Sequence, residues 1–437
     1  MRGLVTPIVL LLALLITATS LSAADWYVKP DRTGDAATIQ AAVDAAAPGD
    51  TILLADGTFT GDGNRDIFVY AKPLLFMSES LDPDLCVIDC GGTETEFHQG
   101  FDLHVAESPW VMIVGVTVRG AYTNSGGAVY VGLEEDQPGQ VSLVNCVLTE
   151  NNAVYSGPAM LVFHDCFANL VTSRVTGNYA SDGGAIYLAS NSALTVSGGV
   201  FSNNGADVHG GAISTYGGTL ILSSCTFSGN TTTGTGGAIY GTEGAALALL
   251  GCTLSGNNAF QGGGAVYFDG EAVSLSQCSS MHNWSQYGAS LRIGGAATVL
   301  VANCSFVADS SGYGAILMSD GISPVIDRTV IAFGKETAAI SCFGTPGDIS
   351  VTCSDFFGNE SGDWIACVEG LDGTEGNISE DPLFCDLENG SVAVEDCSPC
   401  LAAHNTCGLD MGAGILGCAC GEATEPTTWG AIKAMYK

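Results

Sequence analysis

A phrase that recurs every 26 or 27 residues constrains this chain more than any other feature. Its most regular position holds asparagine and finally aspartate, at Asn151, Asn178, Asn204, Asn230, Asn257, Asn283 and Asp309. One copy reads L-x-L-x-x-C-x-F-x-x-N, then a polar loop, then G-G-A-I-Y. Alternation with a period of two indicates strands, and units this short bury their apolar face only by stacking. We therefore predict an all-β fold, a right-handed parallel β-helix solenoid with three short strands per coil and about eleven to twelve coils.

Stacking gives each column of the repeat a predicted role. The Leu, Ile and Phe columns fill a narrow interior, the Asn column forms a hydrogen-bonded ladder, and the Gly pair permits a bend that a Cβ would hinder. Five residues before the Asn column stand Cys146, Cys225, Cys252, Cys278 and Cys304. We interpret these as small buried thiols, since neighbours in a parallel stack rarely have disulfide geometry.

The repeats resemble a known family. Their GGA[IV] and FxxN phrases are similar to the polymorphic outer membrane protein repeat over roughly residues 124–316. Residues 31–59 resemble the opening of secreted pectin-lyase-like β-helix proteins, in which T-I-Q-x-A begins a short amphipathic helix. That resemblance implies a helix capped by Asp35 or Thr38 and seated on the open end of the solenoid by Ala42, Val43 and Ala46. It implies an exported protein, often of the cell surface, and no catalytic site.

The chain divides into five predicted parts. Residues 1–24 read as a secretory signal peptide, and their apolar run is too short for a membrane anchor. Residues 25–60 form the N-terminal cap and lead into the first coil, and 61–366 form the β-helix. Residues 367–421 form a Cys-rich C-terminal cap, and 422–437 a polar linker and tail, either a frayed end or a docking tag. We expect bacterial-type export to the extracellular space or outer cell surface, with no transmembrane span in the mature chain.

The cap resembles the D-P-x-F-C … S-P-C … G-C ending of secreted bacterial β-helix proteins. The resemblance implies disulfide staples, with candidates Cys385, Cys397, Cys400, Cys407, Cys418 and Cys420. A zinc site is the alternative for Cys397 with Cys400 and Cys418 with Cys420, although export favours disulfides.

Charge restricts the partners. The chain has 12 Lys and Arg against 46 Asp and Glu, a net charge of −34, which repels nucleic acid, anionic lipid and polyuronates. Extracellular glycans or cell-surface components remain as expected partners. The sequence assigns no cofactor; calcium is the cation that its carboxylates suit best.

Catalytic patterns of pectin-lyase-like enzymes are missing from the sequence. It contains neither an R-x-P-x-x-R phrase nor an Asp-Asp pair. We therefore favour a non-catalytic adhesive, glycan-contacting or structural protein, with a polysaccharide lyase or glycosidase as the alternative. The catalytic candidates are Asp182, Asp207 and His209, which lie on neighbouring coils.

Two further sets of residues are binding candidates. Glu243, Asp269 and Glu271 could hold calcium, or could simply be solvated loop residues. Tyr130, Tyr187, Tyr240 and Tyr267 follow the inward Ile or Val and should face outward, with Tyr240 and Tyr267 stacked. Such a row could bind sugar rings or only stabilise the sheet.

Overall fold

The chain winds into a parallel β-solenoid, which confirms the predicted fold class. The computed structural model describes residues 23–106, 111–133, 137–295, 298–319, 321–344, 347–414 and 416–421. The predicted tail and all but the last two residues of the predicted signal peptide lie outside these ranges. Three long parallel sheets, of 13, 12 and 11 strands, run along the solenoid. The sequence predicted about eleven to twelve coils, each of which adds one strand to a sheet.

The first sheet contains the L-x-L part of the repeat. Its strands are Asp25–Val28, Thr51–Leu54, Leu75–Ser78, Val111–Val114, Gln140–Val144, Phe167–Val171, Ala193–Ser197, Thr219–Ser223, Ala246–Leu250, Ala272–Ser276, Thr298–Ala302, Val325–Asp327 and Ser350–Thr352.

The second sheet contains the Phe column. Its strands are Gly57–Thr60, Cys86–Asp89, Thr117–Arg119, Val147–Thr149, Arg174–Thr176, Val200–Ser202, Thr226–Ser228, Thr253–Ser255, Ser279–Met281, Ser305–Val307, Val330–Ala332 and Asp355–Phe357.

The third sheet follows the Gly-Gly-Ala phrase. Its strands are Ile67–Tyr70, Phe101–His104, Val129–Val131, Met160–Val162, Ile186–Leu188, Ile213–Tyr216, Ile239–Thr242, Val266–Asp269, Leu291–Ile293, Gly314–Met318 and Ala338–Cys342.

A fourth, narrower ladder was not predicted. Its strands are Tyr122–Ser125, Asn152–Ser156, Tyr179–Ala180, Gly205–Ala206, Thr231–Thr232, Asn258–Ala259, Trp284–Ser285 and Ser310–Ser311. Most of them have only two residues, too few for a sequence alternation to be visible. They arise because the residue after each ladder Asn continues the coil-to-coil pairing; Thr231, for example, donates its N–H to the carbonyl of Asn204 at 2.9 Å.

In the interior, similar residues of successive coils pair with one another in register. In the first sheet Leu220 pairs with Leu247, and Leu247 pairs with Val273, and all three are at most 3% exposed. In the second sheet the rings of Phe201 and Phe227 stack at 4.6 Å between centroids. Burial of each such ring or branched side chain contributes about 1.5–3 kcal/mol to the stability of the fold. This stability is therefore distributed over many similar layers.

The Asn column forms the predicted ladder. Asn204 Nδ2 donates to Asn230 Oδ1 at 3.0 Å, and the Asn204 N–H donates to the same oxygen at 3.1 Å. Its Nδ2 also donates to the Val175 carbonyl at 2.9 Å, which leaves no buried polar atom of the amide unpaired. The ladder continues to Asp309, whose Oδ1 accepts from Asn283. Burial raises the pKa of Asp309 to about 7.

The two glycines of the Gly-Gly phrase have different roles. The first has a positive φ in four copies, 72° at Gly126, 53° at Gly210, 73° at Gly236 and 65° at Gly263, a region that favours glycine, although Gly183 is an exception. The second leaves no room for a side chain, because a Cβ on Gly237 would lie 2.0 Å from the Gly264 carbonyl oxygen. The phrase therefore has a steric reason to recur.

The interior Cys column consists of free, buried thiols, as the sequence indicated. Burial raises the pKa of Cys146 to about 11, so this thiol stays protonated and unreactive at neutral pH.

The N-terminal end is covered by the one α-helix in the described residues, Ile39–Ala45. Its N-cap is Thr38, which accepts from the Ala41 N–H at 3.2 Å, whereas Asp35 accepts from the N–H of Tyr27. The predicted seating residues Ala42, Val43 and Ala46 are all buried. No helix in the described part of the chain is long and apolar enough to cross a membrane.

The C-terminal end is closed by one short segment. The 3₁₀ turn Ala366–Val368 and the Trp364 ring cover the last coil, with Trp364 stacked on Phe356 at 4.1 Å. Cys367 in this turn is bonded to Cys342 of the third sheet. The closure therefore depends on aromatic packing and one disulfide.

The remaining cap folds back along the side of the solenoid. A small sheet of Phe384–Asp386, Ser391–Glu395 and Leu416–Cys418 packs its apolar residues against outward residues of the second sheet, among them Met281 and Val330. The cap thus covers a flank of the last coils as well as their end.

The disulfide-rich C-terminal region is confirmed, with one correction. The bonds are Cys342–Cys367, Cys353–Cys407, Cys385–Cys418 and Cys397–Cys420. Cys400, predicted as a staple, is instead a buried free thiol that donates to Asp355 Oδ2 at 3.3 Å. The zinc alternative is wrong because three of its four cysteines are in disulfides.

Candidate functional site

The outer side of the third sheet carries a column of aromatic side chains. Residues alternate between the two sides of a strand, so Tyr240 and Tyr267 point outward next to the buried Ile239 and Val266. In register, Tyr240 pairs with Tyr267, and Tyr267 pairs with Arg292 on the next coil.

We call six residues of this surface the aromatic face: Tyr187, His209, Tyr216, Tyr240, Tyr267 and Arg292. Their contacts are continuous along the solenoid axis. Ring centroids are 5.8 Å apart for Tyr187 and Tyr216, 5.6 Å for Tyr216 and Tyr240, and 5.4 Å for Tyr240 and Tyr267. The Arg292 guanidinium lies 5.3 Å from the Tyr267 ring centroid, a cation–π contact.

The turn before the third sheet adds the ring of His209, which the sequence predicted as a catalytic candidate and not as a member of the tyrosine row. His209 stacks on Tyr240 at 4.1 Å with an angle of 17°, and its Nδ1 lies 3.1 Å from Thr235 Oγ1. This contact leaves Tyr240 only 8% exposed, whereas Tyr187 and Tyr267 are half-buried. The row predicted to be exposed is therefore partly covered.

Tyr130 belongs to a separate group of rings. It contacts His104 at 5.7 Å and Phe163 at 6.2 Å. In register, Leu161 stands between Tyr130 and Tyr187. Tyr130 is therefore on the same side of the solenoid but is not joined to the aromatic face.

Burial and nearby carboxylates control the protonation of these rings. Burial raises the pKa of Tyr187, with further contributions from Asp182 and Glu243. Burial also raises the pKa of Tyr267, and Asp269 adds to it while Arg292 opposes it. The phenols therefore remain neutral hydrogen-bond donors at physiological pH.

The catalytic candidates do not form one group. The backbone N–H of His209 donates to the carbonyl oxygen of Asp182 at 2.9 Å, and burial lowers the pKa of the imidazole. The Asp207 carboxylate instead accepts from the Tyr179 hydroxyl at 2.5 Å, on the fourth ladder. Asp182 and His209 thus lie at the aromatic face, while Asp207 is directed toward a different part of the surface.

The calcium candidates Glu243, Asp269 and Glu271 are exposed at the ends of third-sheet strands and in the following turns. Within the described residues, the one group of three metal-ligand atoms within 4.8 Å of each other is Glu395, Cys397 and Cys420. Its two cysteines are joined in a disulfide, so they cannot serve as thiolate ligands. A calcium site at the first three residues stays a prediction.

Several residues of the aromatic region were missed by sequence reasoning. Tyr216 lies two residues after Ser214 in the same strand and so on the same side, and this spacing of two was the available signal. Tyr287 and Tyr313 stack at 4.9 Å, and each comes directly before a glycine, Gly288 and Gly314. These glycines are 26 residues apart, one period of the repeat, so the shared position of the two tyrosines was the available signal.

Comparison with known proteins supports the fold. Residues 103–306 match the family model of the right handed beta helix region. The chain is similar to that family over a segment that carries most of the repeats and the whole aromatic face. No curated protein and no solved structure matches the chain.

Proposed function

We propose that this protein is an exported, non-catalytic β-helix protein that contacts extracellular glycans through its aromatic face. The observation that carries the proposal is the unbroken series of ring contacts from Tyr187 to Arg292 on one side of a rigid solenoid. Rings held by their neighbours lose little conformational entropy when a ligand binds, which favours affinity.

The chemistry of the face suits neutral sugars. The half-buried rings of Tyr187 and Tyr267 offer apolar surface to the C–H groups of a pyranose, and their hydroxyls can donate to or accept from sugar hydroxyls. Asp182 and Asp269 stand beside the rings as acceptors. A net charge of −34 disfavours uronic acid polymers, so neutral glycans are the expected class.

The non-catalytic part of the proposal rests on how the ionisable groups are arranged. Acid–base catalysis needs groups that converge within hydrogen-bond reach of one reacting bond. Here the Asp207 carboxylate is bonded to Tyr179 and His209 is stacked under Tyr240. These contacts favour binding over the alternative of a lyase or glycosidase.

Export to the extracellular space or outer cell surface is supported by two features. Residues 5–16 form an apolar run near the N-terminus, and the C-terminal region holds four disulfides. Disulfides of this density are typical of oxidising compartments. The likeness of the repeats to polymorphic outer membrane protein repeats favours a cell-surface location.

A glycan array and a polysaccharide cleavage assay, with and without calcium, test this function on the mature protein. We expect binding to neutral glycans without release of reducing ends, and a loss of at least about tenfold (about 1.4 kcal/mol) in affinity for Tyr267→Ala. The matched control is Tyr155→Ala, since Tyr155 is 58% exposed on the fourth ladder and outside the face. Equal affinity of the two variants would refute the assignment of the face, and released oligosaccharides would refute the non-catalytic reading.

A further inference from the structure

A groove on a different side of the solenoid has a composition that nothing above accounts for. It has a volume of about 290 Å³ and is lined mainly by Phe260, Trp284, Gln286, Ser310, Gly312 and Glu336, which we call the Trp284 groove. It lies along the fourth ladder, whereas the aromatic face lies on the third sheet.

The groove exists because large side chains stand beside small ones in register. Trp284 pairs with Ser310 on the next coil, and Gln286 is followed one coil later by Gly312. The Trp284 and Phe260 rings are therefore 38% and 58% exposed, with their centroids 6.3 Å apart and their planes at 45°. Two exposed rings at an angle make a concave apolar surface.

Three polar groups in the groove have no internal partner. Within the described residues, the Trp284 indole Nε1, the Gln286 side-chain amide and the Glu336 carboxylate make no hydrogen bond or ion pair. The indole Nε1 is a hydrogen-bond donor, the Gln286 amide is both donor and acceptor, and the Glu336 carboxylate is an acceptor. An apolar surface with a few convergent polar groups is the usual composition of a small-ligand site.

We propose that the Trp284 groove is a second saccharide-binding site, which takes a neutral hexose unit. The ring of the sugar packs on Trp284 and Phe260, and its hydroxyls bond to Gln286 and Glu336. The volume of about 290 Å³ is just below the usual range for ligand pockets, roughly 300–1,000 Å³, so it suits a single hexose unit. The exposed Glu336 disfavours a uronate at this position.

A bridge of rings connects the groove to the aromatic face. Tyr287 follows Gln286 and Tyr313 follows Gly312, and these two tyrosines stack on each other. The Arg292 guanidinium lies 5.5 Å from the Tyr287 ring centroid and 5.3 Å from that of Tyr267. One glycan chain can therefore contact both sites, and the proposal shares its ligand class with the function proposed above.

Fluorescence titration of the mature protein tests the groove directly. The probes are cellohexaose and mannohexaose, with hexagalacturonate as the acidic comparison. We expect a neutral hexaose to shift tryptophan emission and to reduce acrylamide quenching, and Trp284→Phe to abolish both changes while it keeps most of the affinity. Trp284→Ala and Glu336→Gln should each weaken binding by at least about fivefold, while Tyr155→Ala should leave it unchanged.

The outcomes separate this proposal from the one above. If Tyr267→Ala weakens binding and Trp284→Ala does not, the groove is not a sugar site and the aromatic face stands. If Trp284→Ala alone weakens binding, the groove stands and the face does not. Stronger binding of hexagalacturonate than of either neutral probe, or no binding of any probe, overturns the groove proposal.

Discussion

Asn257→Ala tests whether the interior ladder stabilises the solenoid as much as its geometry indicates. The Asn257 side chain makes four buried hydrogen bonds: Oδ1 accepts from the N–H and the Nδ2 of Asn230, and Nδ2 donates to Phe227 O and Asn283 Oδ1. Each such bond contributes about 1 kcal/mol net, so the four together are worth about 4 kcal/mol. Buried groups left without a partner increase this cost, and water that enters the space reduces it.

Guanidinium denaturation followed by circular dichroism measures the effect, and Asn258→Ala is the matched control. Asn258 is the next residue, is exposed, and makes no side-chain hydrogen bond in the described structure. We expect a free-energy loss of about 3–5 kcal/mol for the first variant and under about 0.5 kcal/mol for the second. Hydrogen exchange should localise the loss to the coils around residue 257, since each coil contacts only its neighbours. Equal midpoints for the two variants would show that the ladder contributes no net stability.

Three other changes have expected outcomes. Gly237→Ala places a Cβ 2.0 Å from the Gly264 carbonyl oxygen and should abolish soluble expression, whereas an alanine tolerated there would contradict the steric role of the phrase. Burial raises the folded-state pKa of Asp309 to about 7, above its unfolded value. The stability that Asp309 contributes is therefore complete at low pH and is lost as the pH rises from about 4 to about 7. Asp309→Asn should flatten the pH dependence of the melting temperature in that window. Replacing Cys353 and Cys407 with serine opens a loop of 54 residues and should cost about 4 kcal/mol, measured by calorimetry against the oxidised protein.

Much of the fold follows from the sequence because stacked coils place like residues on top of one another. The Asn ladder, the free thiols and the inward Leu and Phe columns all require only that the period be correct. The fourth ladder did not follow, since a pair such as Thr231 and Thr232 is too short to show alternation. The lateral packing of the cap also did not follow, because the repeat carries no information about which flank a later segment covers.

The candidate site, like the fold, was predicted from the sequence only in part. The stacking of Tyr240 on Tyr267 was predicted because both occupy one column of the repeat. The cover provided by His209 was not, since that residue lies in the turn before the strand, where ring orientation depends on loop geometry. The Trp284 groove was not predicted either. It depends on the size difference between residues one coil apart, and on Glu336, which lies two coils away from Trp284.

The distribution of aromatic residues argues for a role beyond stability. The three long sheets enclose the same core and pair along the same axis, so a purely structural need for outward rings should affect all of them similarly. The central outward column of the first sheet instead reads Met112, Ser142, Asn169, Thr195, Ile221, Ala248, Ser274, Leu300 and Val325, without a ring. Outward tyrosines concentrate on the third sheet, beside carboxylates and one arginine. This difference between sheets that share one core is consistent with our proposal that the aromatic face makes contacts outside the molecule.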